Sequence, residues 1–141
     1  MVQRFVKMDF IPSSVDAGLL ALRVCMCMSL FLKHGWEKIF NFSQMAQHSP
    51  DPLHLGSTFS LIFAMSADGI CTLLIIAGLA TRWASLLAFV NILVAWVFVH
   101  HFLFFGRGAD HGELIVLYLA GLLTLLIAGP GRYSVDSLLK S

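Results

Sequence analysis

Charge is scarce in this chain: Asp, Glu, Lys and Arg make up only 12% of its 141 residues, against roughly 25% in a soluble domain. With a formal net charge of +1 there is no basic face for a nucleic acid. Cysteine is scarce too. Cys25, Cys27 and Cys71 form neither a CxxC pair nor a metal-ligand spacing, which leaves them as small apolar side chains. The absence of a CxxCH stretch removes the attachment signature of a c-type haem and puts haem or metal ligation through histidine low among the readings. No internal repeat or low-complexity tract occurs. No segment between the apolar runs is long enough for a separate soluble domain, so residues 1–141 read as one domain.

What is abundant is apolar surface. Hydrophobic residues make up 58% of the chain, with 12 phenylalanines, and the mean hydropathy is +0.84, more than a chain of this size could bury within itself. Four windows, 14–32, 57–79, 83–104 and 113–128, approach or exceed the roughly 20 residues needed to cross about 30 Å of hydrocarbon. The first follows Arg4 and Lys7 but runs on without a small-residue cleavage site, and so reads as an uncleaved span. In lipid such segments satisfy their backbones as helices. The expected fold is an all-α, four-helix bundle in a membrane. Arg4, Lys7, Arg82, Arg132 and Lys140 lie on the side of both termini, against Lys33, Lys38 and Arg107 opposite, which predicts cytoplasmic termini.

Under this topology all six histidines fall at or beyond the outer helix ends. Three of them occupy the stretch "VHHFLFFGRGADHGE" at 99–113. Two charges lie deep instead: Arg23 is about 13 Å from the inner end of the first span and Asp68 about 16 Å from the outer end of the second. Facing lipid alone, each would cost several kcal/mol, so the two are expected to pair, with Asn91 joining at similar depth. At about 100° per residue Arg23, Cys27, Leu30, His34 and then Glu37 or Lys38 share one face, while Glu113, Leu117, Ala120 and Thr124 share another. The constellation suits proton transfer to a quinone or binding of a small acid, with His34, His100 and Glu113 handling protons. Two plainer readings stand beside it: polar residues marking the headgroup level, and an ion pair that only fixes helix register.

The stretches "LRVCMCMSLFLKHGWEKIF", "GLATRWASLLAFVNILVAWVFVH" and "GELIVLYLAGLLTLLIAGPGRYSVD" resemble the successive signatures of the DoxX family of small membrane proteins. The resemblance covers about 22–136. Its helix-one arginine and HGxxK element match Arg23, His34, Gly35 and Lys38. Its helix-two acid matches Asp68, where Glu is the commoner residue, implying a shorter reach. Its turn arginine matches Arg82, its helix-three histidine His100, its helix-four glutamate Glu113, and its terminal GPGxxSxD Gly129, Pro130, Gly131, Ser134 and Asp136. An ideal wheel would instead put His101 about 80° and His100 about 180° from Asn91, so the assignment of His100 follows the resemblance and keeps His101 as the alternative.

Members of that family include subunits of quinone-linked oxidoreductases and proteins tied to oxidative stress. The resemblance therefore implies a redox-associated subunit of a bacterial or archaeal plasma membrane, with Arg23, His34, Lys38, Asp68, His100 and Glu113 lining a pocket for a quinone or small anion, and depth and the helical wheel add Asn91 and His101 to its ligand-binding candidates. Oxidoreductase subunits or a second copy of the chain would be its partners. The alternative from another class is a non-catalytic scaffold or chaperone that binds partner proteins, its buried charges purely structural.

Overall fold

The computed structural model describes residues 14–104 and 112–139. The orientation expectation draws on Arg4, Lys7, Arg107 and Lys140, which lie outside them, as does His111. The described residues are helical, without strands. The first helix, α1 (Val15–Phe40), runs 26 residues, because the polar start of the 35–56 connection continues the helix. Ser14 begins it, its hydroxyl accepting the Ala17 N–H at 3.2 Å, and Asp16 sits in the positive first turn. A short α2 (Phe42–Met45) and an irregular loop lead to α3 (Ser57–Ala77).

Helix α3 stops at Gly78, in the left-handed region at φ +75°. There the Gly78 N–H bonds to Ile75 O at 3.0 Å and the Leu79 N–H to Leu74 O at 2.9 Å, the closure that a side chain on Gly78 would strain. Helix α4 (Thr81–Val99) ends earlier than the apolar run implied. The Phe102 N–H folds back to Trp96 O at 3.0 Å, and the two rings meet edge to face at 5.4 Å. Helix α5 (Gly112–Ala128) and a final turn, α6 (Val135–Leu138), complete the described chain.

Helices α1, α3 and α4 are each long and apolar enough to cross a membrane, and α5 is a shorter apolar helix. The four pack around Cys27, Leu30, Ile75, Ala88, Leu122 and Leu125. Leu32, Trp83, Leu117 and Ile127 are more than half exposed, as lipid-facing side chains are. Helix α5 lies chiefly on α4, and α1 on the second half of α3.

Three of the helices contain a π-helical turn: Phe31–Gly35 in α1, Ser66–Cys71 in α3 and Ala95–Val99 in α4. Each widens the helix by one residue and shifts the phase of everything beyond it. The carbonyls it displaces find donors within the span, since Thr72 Oγ1 bonds to Asp68 O at 2.7 Å and to Gly69 O at 2.8 Å. The first two π turns face each other. A β-carbon on Gly35 would collide with the Asp68 carbonyl oxygen and lie 3.0 Å from the Gly69 Cα, so only glycine lets the two backbones meet here.

At the opposite end, called here the tail end, the segment after α5 is bound back onto the bundle rather than hanging free. The Asp136 carboxylate accepts the Ala80 and Thr81 N–H groups at 2.7 and 3.0 Å, capping α4. The Asp136 N–H bonds to Gly78 O at 2.8 Å, and the Arg132 N–H to Asp16 Oδ1 at 2.8 Å. Arg82 Nε reaches Leu126 O at 2.8 Å.

Candidate functional site

The expected Arg23–Asp68 pair does not form. Arg23, only 2% exposed, turns toward the tail end, donates to Tyr133 O and lies against Gly78. Its long side chain finds a carbonyl there, where the returning tail supplies one. Asp68 is held instead by Lys38. The Lys38 Nζ is 2.8 Å from Asp68 Oδ2 and also donates to His34 O at 3.2 Å, while the Asn91 amide donates to Asp68 Oδ1 at 2.9 Å. Three helices thus meet at one carboxylate whose two oxygens are both engaged. Lys38 reaches it because the Gly35 contact brings α1 within a lysine's length of α3.

Above this group, on the side of the 41–56 loop, lies a mostly apolar cavity of about 470 Å³, within the roughly 300–1,000 Å³ of small-molecule pockets. Lys38, Asp68, Asn91, His34, His100 and Tyr118 are its polar-bearing walls. Tyr118, from α5, is buried and shares a hydrogen bond of 3.0 Å with the Ser29 hydroxyl. The other walls are chiefly carbon, Leu30, Phe63, Ala64, Val94 and Ile115 among them, with Ser49 and Ser60 at the loop end.

Among the expected residues, the cavity brings together His34, Lys38, Asp68, Asn91 and His100. It does not include Arg23, His101 or Glu113. His101 and Glu113 are exposed, and His101 sits at φ +48° in the turn after α4. The choice between His100 and His101 follows from the π turn at Ala95–Val99. One extra residue in the turn moves His100 from about 180° to about 80° of Asn91 and carries His101 away. The His100 N–H marks that turn, bonding to Ala95 O five residues back at 3.0 Å.

The loop over the cavity has its own anchor. The Asp51 carboxylate accepts the Leu55 N–H at 3.0 Å, the Gly56 N–H at 2.8 Å and the Ser60 hydroxyl at 2.8 Å. Led by the Ser60 hydroxyl, these bonds hold its carboxyl below the ordinary aspartate value, and nearby His54 adds to them. Pro50, Pro52, Leu53 and Leu55 from this loop line the cavity. Asp51 and Tyr118 were not among the expected site residues. A hydroxyl inside the apolar run of α5 was the available signal for Tyr118, and an acid between two prolines the signal for Asp51.

Three membrane-length apolar helices, a fourth against them and a polar group buried at mid-depth define a small all-helical integral membrane protein. Residues 18–101 match the DoxX family, and the chain belongs to that family. It is 30% identical over 138 residues to an uncharacterized protein of Haemophilus influenzae, covering 95% of this chain and 89% of that one. It is likewise 30% identical over 128 residues to the inner membrane protein YqjF of Escherichia coli, covering 89% of this chain and 94% of that one. No solved structure matches it.

Proposed function

We propose that the protein is a redox-associated subunit of the inner membrane that holds a quinone, or another small molecule with a polar head, in the cavity above Asp68. The observation that carries this reading is the hydrogen-bonded Lys38–Asp68–Asn91 group at the floor of an otherwise apolar cavity inside the span, with His34 and His100 on its walls. Buried polar groups in a bilayer are costly and mark ligand or proton paths. The inner-membrane name of the Escherichia coli relative supports the location, and the loop end is assigned to the non-cytoplasmic face.

Reducing a quinone to a quinol takes two electrons and two protons. The electrons come from a partner oxidoreductase subunit. The residues of this chain orient the head and move protons: Lys38 and the Asn91 amide lie where a head oxygen can be met, and the His100 imidazole, on the cavity wall, donates to it. His34 serves the same wall. Glu113 and His101, off the cavity, take no part in binding.

The test is binding of decylubiquinone to the full chain in nanodiscs. His34→Gln, His100→Gln and Asn91→Leu are expected to weaken it by about tenfold, or 1.4 kcal/mol, with helix content unchanged. Glu113→Gln and His101→Gln are expected to bind as wild type. Equal binding by all five variants would remove the cavity from the function.

A further inference from the structure

Resting on that reading, we infer that the ligand is a net-neutral amphiphile with a hydrocarbon tail, and that it reaches the cavity sideways from the bilayer, between α3 and α4. The walls of the cavity differ in what they exclude. Toward water it is roofed by the loop carrying Pro50, Pro52, Leu53 and Leu55, tied down by the three hydrogen bonds of Asp51. Toward lipid, among the described residues, it is partly open. Helix α4 packs against α3 along Ser66–Cys71 and Thr72–Ala77 but makes little contact with Ser57–Met65, so the two helices part above Asp68.

The residues on either side of that slit line the cavity and are also exposed: Phe59 at 56% and Phe63 at 37% on α3, Val90 at 40% on α4. Val94 lines the cavity one turn beyond Val90. All four are hydrocarbon at the depth of acyl chains, a surface that a polar solute would not cross and a tail would wet.

Charge selects the head. Among the described residues that line the cavity, Lys38 is the one fixed cation and Asp68 the one fixed anion, and they neutralise each other at 2.8 Å. An anion would have to compete with Asp68 for Lys38 and leave a carboxylate unpaired in lipid. An uncharged head with carbonyl oxygens takes the remaining donor capacity of Lys38 and Asn91 without breaking the pair. That description fits a quinone and excludes a water-borne small acid.

The experiment uses the full chain in nanodiscs and a benzoquinone carrying a decyl tail with a diazirine at mid-tail. After irradiation, adducts are expected on the peptides holding Phe59, Phe63, Val90 and Val94. Excess decylubiquinone is expected to remove them, and benzoate is not. Val94→Trp, which fills the slit from the lipid side, is expected to cut labelling by at least about fivefold. Adducts concentrated on residues 45–56, displaced by the same competitor, would overturn sideways access while leaving the quinone reading intact. Displacement by benzoate at lower concentration than by decylubiquinone would overturn the neutral head. Adducts that no competitor removes, together with no measurable quinone binding, would overturn both this inference and the proposed function.

Discussion

Lys38 Nζ and Asp68 Oδ2 lie 2.8 Å apart across the contact of α1 and α3, thirty residues apart in the chain, with side chains 17% and 7% exposed. Neither residue has another fixed opposite charge at that distance among the described residues. The pair both closes the floor of the cavity and locks two helices whose backbones touch at Gly35.

Removing one member of this pair strands the other charge in the bilayer. Lys38→Met and Asp68→Leu are each expected to cost about 3 kcal/mol of stability, and the double variant far less than their sum. Thermal unfolding in detergent reads this directly. Strictly additive losses would mean that the two side chains do not stabilise each other.

The Gly35 contact gives a sharper steric outcome. A methyl group there meets backbone rather than a movable side chain, so Gly35→Ala is expected to destabilise by about 2 kcal/mol or more and to weaken quinone binding, because Lys38 is pushed off Asp68. Gly18, on the same helix with nothing within 4 Å of an added β-carbon, is the control. Gly18→Ala is expected to be neutral or to stabilise by about 0.5–1 kcal/mol through helix propensity. Equal effects at the two sites in detergent melts would contradict the close approach.

The roof loop is expected to respond to acid. The Asp51 carboxyl titrates below its ordinary value of 3.8, chiefly through the Ser60 hydroxyl. A depressed folded value means that its contribution is fully present above the unfolded value and is lost as pH falls through the folded one. Hydrogen exchange at the Leu55 and Gly56 amides is therefore expected to be protected at neutral pH and to accelerate only below about pH 4. Asp51→Asn is expected to remove that pH dependence. Protection that persists unchanged in the variant would assign the loop's order to its prolines instead.

The helices were legible in the sequence because lipid leaves little choice: long apolar runs must satisfy their backbones internally. The mid-depth placement of Asp68 and Asn91 was legible for the same reason, by counting residues from the helix ends. What could not be read was pairing. A helical wheel assumes an unbroken 3.6-residue turn, and three π turns break that assumption at the places where His34, Asp68 and His100 are set. The wheel consequently favoured His101, and only the resemblance pointed to His100. Arg23 was assigned to Asp68 because the two share a depth. Nothing in the spacing shows that the "GPGRYSVD" segment returns to the bundle and offers Tyr133 O to that arginine, or that Asp136 caps α4.

The cavity as a ligand site is tested most directly by filling it. Ala64 lines it beside Asp68 without joining the polar group, so Ala64→Trp occupies the space while leaving the Lys38–Asp68–Asn91 bonds in place. Lipid extracts of gently purified wild-type and Ala64→Trp protein, quantified by mass spectrometry for quinones, are expected to differ. The wild type is expected to carry close to one quinone per chain, and the variant, with unchanged helix content, only the level of the surrounding membrane. Equal quinone in both preparations, or none above membrane background in the wild type, would contradict the account.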